Sequence, residues 1–269
     1  LIKRVGIGVV VLAAAVYLGV LGYLYVNQRA FFFFPAGDVF EIADVGIDAE
    51  LVTIPTSNGE TVTGWYGAPA PGMPVILYLK GNSGSFSSEY ERLAGFEADG
   101  YGFLSIDYRG FPLSPGEITQ DNILADALAA HDWVAEKGDP VLVWGRSLGA
   151  SPAVWVASRR EVPALLLETP FYSAVHVAAQ RYPYVPVGLL MLDPFPSNIW
   201  MADVSAPVFV AHGTADTTIF VDNAQLLYAQ APEPYALWIE EGAGHSGMWA
   251  RGIWERAKAF FEAVAERDS

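Results

Sequence analysis

Pro140-Val141-Leu142-Val143-Trp144-Gly145-Arg146-Ser147-Leu148-Gly149-Ala150 decides how the rest of the chain is read. Its first four residues are a short, valine-rich apolar run, the pattern of a parallel strand buried on both faces. Residues 151–160 carry alanines and other small side chains at helical spacing. Strand, Gly-x-Ser-x-Gly and helix in that order is the setting of a nucleophile elbow. Such a turn is tight enough to strain the serine backbone, and a Cβ two residues to either side would collide with the flanking strand or helix. The turn lifts the Ser147 hydroxyl over the carboxyl edge of a sheet. It also aims the Leu148 N–H towards the place where an oxyanion would form. The alternative is a glycine-rich turn that carries a surface serine.

Outward from the elbow, strands alternate with helices. Residues 51–55 and 61–66 flank Ser57-Asn58-Gly59, a hairpin signal. Strands are expected at 75–79, 102–106, 164–167, 208–211 and 235–239. Helices are expected at 87–98, 120–136, from about 221, and at 252–267. An initial hairpin followed by this alternation predicts an α/β fold, a mostly parallel sheet with helices on both faces. No internal repeat or low-complexity linker divides residues 30–269, which read as one domain.

Residues 5–26 contain no charge, with Lys3-Arg4 before them and Asn27-Gln28-Arg29 after. As a helix they extend about 33 Å, enough to cross a hydrocarbon core. Tyr23 and Tyr25 fall near the end, where aromatic rings favour the interface. Residues 1–29 therefore read as an uncleaved membrane anchor of a single-pass protein of the cell membrane. A signal peptide is the rival, but its apolar core is normally shorter, and no small-x-small site precedes Phe31-Phe32-Phe33-Phe34. Lys3 and Arg4 outnumber Arg29, which places the catalytic domain on the non-cytoplasmic side. The phenylalanine run is expected to pack on the globular domain and hold it close to the bilayer.

The 269 residues include 17% charged side chains and carry a net charge of −15. With no basic stripe to neutralise phosphates, a nucleic-acid partner is argued against. The absence of cysteine excludes disulfides, thiolate catalysis and zinc–sulfur sites. No metal or organic cofactor is implied.

A serine hydroxyl needs a base, and histidine is suited to that near neutral pH. His131 lies in a helix pattern, His176 in an apolar helical stretch and His212 at a strand end. His245 sits among glycines, in Gly244-His245-Ser246-Gly247, where a loop lets the imidazole reach across the sheet edge. It is the chosen base. Asp216, a few residues beyond the strand at 208–211, is the chosen orienting carboxylate. Glu168 and Asp193 are its rivals; a third, Asp222, reads as a helix cap.

The blocks Lys80-Gly81-Asn82-Ser83-Gly84, Asp107-Tyr108-Arg109-Gly110, Gly145-Arg146-Ser147-Leu148-Gly149, Glu168-Thr169-Pro170-Phe171, His212-Gly213-Thr214-Ala215-Asp216 and Gly244-His245-Ser246 together resemble the α/β-hydrolase superfamily. The similarity is to the branch of membrane-anchored serine hydrolases that includes protein depalmitoylases and their bacterial relatives. It implies an α/β-hydrolase fold, Ser147, Asp216 and His245 as the triad, and Asn82 and Leu148 as the oxyanion-hole donors. Two positions depart from the pattern. Lys80 stands where the family usually has histidine, so the hydrogen bonding of that loop must differ. Pro112 follows Arg109-Gly110-Phe111, where it fixes φ and stiffens the wall of the site.

In the same superfamily, insertions placed like residues 171–201 form a small cap. Tyr182, Tyr184, Val187, Leu190 and Met191 give this one an apolar character suited to an acyl chain, with an outer face that could touch lipid. The alternative is a segment that only packs on the core. The expectation is a membrane-anchored serine hydrolase acting on esters or thioesters of acyl substrates, small or lipid. An amidase or peptidase on the same triad, or a catalytically silent tethered binding module, are the other readings.

Overall fold

Strands apolar on both faces need a layer on each side. The computed structural model describes residues 2–57 and 59–267, and it supplies both layers. One sheet of eight strands runs β1-β2-β4-β3-β5-β6-β7-β8. β1 (Glu50–Pro55) and β2 (Thr61–Gly67) form the expected hairpin, and β2 pairs antiparallel with the fourth strand. Asn58, at the centre of the hairpin turn, lies outside the described residues. β3 (Val75–Leu79), β4 (Gly102–Ile106), β5 (Val141–Arg146), β6 (Leu165–Glu168), β7 (Val208–Gly213) and β8 (Pro234–Glu240) are mutually parallel where they pair.

The period of two decides which core each side chain joins. Val75, Leu77 and Leu79 of β3, with Val141 and Val143 of β5, face one layer; Ile76, Tyr78, Leu142 and Trp144 face the other. α3 (Tyr90–Ala98), after a 3₁₀ turn at Phe86–Glu89, and α10 (Ile253–Ala265) cover the second face. α4 (Gln120–Ala135), α5 (Ala150–Ala157) and α9 (Asp222–Tyr228) cover the first. Because the chain passes from β3 to β4 on one side and then to β5 on the other, the loops leaving β3 and β5 diverge at the carboxyl edge. Ligands of open α/β sheets gather at such a switch point.

α1 (Ile2–Phe32) is longer than the uncharged run that predicts it, and a short α2 (Ile42–Val45) follows it. The helix continues through the polar residues 27–29 because their side chains find partners. Asn27 donates to the Tyr23 carbonyl at 2.9 Å, Gln28 to the Leu190 carbonyl at 3.1 Å, and Arg29 Nε to Asp193 Oδ2 at 2.8 Å. It ends at Phe32, three residues before Pro35, which disfavours a helical conformation in the preceding Phe34. The phenylalanine run is divided. Phe33 is buried beside Phe195, whereas Phe31 and Phe34 are about half exposed.

Between β6 and β7 the cap carries α6 (Ala174–Arg181), α7 (Val187–Leu190) and α8 (Ser197–Trp200). Ser173 opens α6 by accepting from the His176 N–H. Phe171, Ala174, Phe195 and Trp200 root the cap in the core, while at its tip Tyr184 and Leu189 are each 87% exposed.

Candidate active site

Ser147 has φ = +53°, a region costly for a residue with a side chain. Both elbow glycines are sterically required. A Cβ on Gly145 would stand 2.6 Å from Ala150 Cα, and one on Gly149 would meet the Leu79 carbonyl. The sheet register sets Leu79 opposite Gly145, so the loop leaving β3 passes close to the nucleophile. A Cβ on Gly81 would lie 3.6 Å from that of Ser147.

His245, on the loop after β8, places Nε2 2.9 Å from Ser147 Oγ and Nδ1 2.7 Å from Asp216 Oδ2. With Nδ1–H given to the carboxylate, Nε2 is the nitrogen able to accept the serine proton. The other oxygen of Asp216 accepts from the Thr218 and Ile219 amides at 2.8 and 2.9 Å. His212 adds Nε2 at 3.2 Å from Asp216 Oδ2 and 2.9 Å from the Ile219 carbonyl. Burial alone would push the Asp216 carboxyl up; the hydrogen bonds from His212 and His245 overcome this and hold it far below the usual carboxylate range.

The rival residues are occupied elsewhere. Glu168 makes a two-pronged ion pair with Arg92, both contacts 2.8 Å, and accepts from Trp144 Nε1. Asp193 serves Arg29 and the Gln120 amide at the start of α4. Asp222 lies in the first turn of α9 and accepts from Gln180, so it does not cap that helix. His131 is buried in α4 and reaches Asp132, and His176 lies within reach of Asp222.

Lys80 has turned inwards. Its ammonium donates to the carbonyls of Gly84 at 2.7 Å and of Gly81 and Ser83 at 3.3 Å, 3.8 Å above the Phe111 ring. Desolvation lowers its pKa to about 8, with Asp107, 3.9 Å away, pulling in the opposite direction. This is the altered bonding that the loop sequence requires, and Phe111 before Pro112 forms its lid.

Two features escaped the sequence reading. The phenylalanine run bonds to the same loop: Asn82 Nδ2 donates to the Phe32 carbonyl at 2.7 Å, and the Phe34 N–H to the Asn82 carbonyl at 2.8 Å. Arg146, inside the elbow, donates to Glu89 at 2.8 Å and to the Ser246 hydroxyl at 2.9 Å, next to His245. A charged residue at the end of an otherwise apolar strand is the signal that could have found it.

A cavity of about 400 Å³ opens over Ser147, bordered at its base by Asn82 and Leu148. Of the expected substrate residues, Tyr182, Val187, Leu190 and Met191 line it; Tyr184 does not, because it projects from the cap tip. Another wall is formed by the end of α1 and the residues just after it, with Leu24, Gln28, Phe31, Phe32 and Phe34. Among the described residues, no group of three or more histidine, aspartate or glutamate side chains converges to hold a metal ion.

No known family profile matches the chain. It is 34% identical over 245 residues to the uncharacterized protein Rv2307c of Mycobacterium tuberculosis, covering 88% of this chain and 87% of that one. It is 30% identical over 217 residues to the human alpha/beta hydrolase domain-containing protein 17B, covering 76% and 72%. Among solved structures, the Pyrococcus furiosus esterase Pf2001 superimposes with a TM-score of 0.70 at 22% identity, over 88% of this chain and 98% of that one.

Proposed function

The chain belongs to the α/β-hydrolase superfamily, and from that premise we propose a membrane-anchored serine hydrolase that cleaves carboxylic esters or thioesters of acyl substrates. The observation that carries the proposal is the run of hydrogen bonds from Ser147 through His245 to Asp216 at the floor of an apolar cavity. Ser147 Oγ attacks the acyl carbonyl as its proton passes to His245 Nε2. Asp216 holds the ring in the required tautomer and stabilises the imidazolium. The Asn82 and Leu148 N–H groups receive the oxyanion, each such donor being worth on the order of a hundredfold or more in rate. The intermediate collapses as His245 protonates the departing alcohol or thiol. Water, deprotonated by the same nitrogen, then releases the acid and restores Ser147.

Support for an anchor over a cleaved signal peptide comes from the end of α1. Cleavage before the phenylalanine run would remove Leu24 and Gln28 from the cavity wall and Arg29 from Asp193. Among the described residues the cavity has one charged lining residue, Arg181, which donates to the Thr217 and Thr218 carbonyls and leaves the lining suited to an acyl chain. The test is turnover of a p-nitrophenyl ester series by purified wild type and Ser147→Ala. The variant is expected to lose on the order of 10⁴-fold or more in kcat. Equal turnover by the two proteins sinks the proposal.

A further inference from the structure

The end of α1 is part of the cavity as well as a tether, and this says where the substrate comes from. Gln28 accepts from the Leu192 N–H at 2.8 Å while donating to the Leu190 carbonyl, so helix and cap are bolted together at that level. Leu24 and Phe32 both line the cavity, and their separation of eight positions corresponds to about 12 Å along the axis. The cavity therefore runs from Ser147 back along α1 into the apolar segment.

The cap follows the same direction. Tyr17, in the middle of the apolar run, donates its hydroxyl to the Tyr184 carbonyl at 2.6 Å. Tyr17 precedes Gln28 by eleven residues, about 16 Å of helix. A helix that crosses a bilayer through residues 5–26 thus carries the cap tip down with it, and Tyr184 and Leu189 then face hydrocarbon, not water. A cluster of exposed apolar side chains beside an apolar span is otherwise difficult to reconcile with a soluble surface.

Resting on the hydrolase reading above, we propose that the substrate is a long-chain acyl ester resident in the bilayer, taken up sideways through the gap between α1 and the cap. Its orientation fits: the tail lies along α1 towards the membrane interior, and the carbonyl comes to Ser147 at the domain side. This is the way an acyl lipid already stands in its leaflet, so the chain enters without crossing water and without turning over. Leu24 sets how long a tail the site accepts.

The experiment uses the full chain in phosphatidylcholine nanodiscs. Hydrolysis of p-nitrophenyl hexadecanoate and butanoate is compared between wild type and Leu24→Trp, with fluorophosphonate labelling as the check that each is folded. The hexadecanoate-to-butanoate ratio of kcat/KM is expected to fall tenfold or more in Leu24→Trp, since each methylene excluded from an apolar site costs several-fold. An unchanged ratio overturns the proposal. A second measurement is independent of catalysis. The sequence contains no cysteine, so Leu189→Cys carries a single nitroxide. Its relaxation by oxygen over a water-soluble nickel complex is expected to match that of a label at Val10→Cys, within the span. A label at 189 that is freely reached by nickel overturns the proposal even if the ratio shifts. Wild type that neither labels nor hydrolyses either ester overturns the hydrolase reading and this one with it. Hydrolysis with an unchanged ratio, or with a wet cap tip, removes this inference alone.

Discussion

At the scale of single residues, Lys80 is the most unusual choice in the site. An ammonium enclosed by three carbonyls and an aromatic ring holds the loop after β3 in shape. Lys80→Met keeps the length and removes those donors. kcat/KM is expected to fall on the order of tenfold as the Asn82 N–H loses its position; an unaltered rate would show that the loop needs no such clamp. The same residue couples stability to pH. With its pKa lowered to about 8 from 10.5, the folded chain pays the full desolvation penalty below pH 8. Between those values the unfolded chain binds more protons than the folded one, so stability attributable to Lys80 rises with pH. The Tm difference between wild type and Lys80→Met, followed from about pH 7 to about pH 10, is expected to move in favour of wild type. A difference that does not vary with pH contradicts the assignment. That a lysine here must alter the loop is legible in the sequence. That it turns inwards is not, because the carbonyls that receive it are brought together only by the turn.

At the scale of elements, the elbow depends on what its neighbours leave no room for. Gly149→Ala drives a methyl group into the Leu79 carbonyl and is expected to cost several kcal/mol (about 3 or more, as for other overpacked backbone sites) and to abolish soluble, probe-reactive protein. Normal folding would mean that β3 and the elbow can separate. Arg146 joins the same turn to the histidine loop through Ser246 and to the α3 side through Glu89. Arg146→Lys keeps the charge but not the fork that reaches both partners. About a tenfold loss in kcat with little change in KM is expected; equal kcat values would reduce Arg146 to packing. The strands and the elbow could be read from local pattern, since apolar runs bounded by glycine carry their own signal. The network of Arg92, Glu89, Glu168 and Arg146 could not, because it joins side chains from three segments far apart in sequence: the Glu89–Arg92 turn, Arg146 and Glu168. That Tyr184 lies outside the cavity lining is illegible for a related reason. Composition identifies an apolar cap but not which of its rings turn inwards.

At the scale of the whole molecule, the apolar helix α1 and the α/β body are joined by side-chain contacts. Arg29 and the buried Asp193 join α1 to the cap, and Asp193 also receives the first amide of α4. Asp193→Asn leaves Arg29 only the exposed Glu117 as a charged partner and is expected to lower stability in detergent by about 1–3 kcal/mol, read as a reduced Tm. No shift would mean that the helix and the body are joined by proximity alone. A 22-residue apolar run is long enough to cross a membrane, but nothing within it shows that the helix it forms continues as the wall of a cavity. That follows from the hydrogen bonds of Gln28 and Arg29 to a cap more than 150 residues later.

The proposed chemistry depends above all on Ser147 being a nucleophile activated by His245. Labelling of the detergent-solubilised chain with a fluorophosphonate probe tests it most directly, with Ser147→Ala and His245→Ala alongside. Wild type is expected to label, with labelling lost in Ser147→Ala and reduced to background in His245→Ala. A folded wild type that does not label, or labelling that survives in Ser147→Ala, would contradict it.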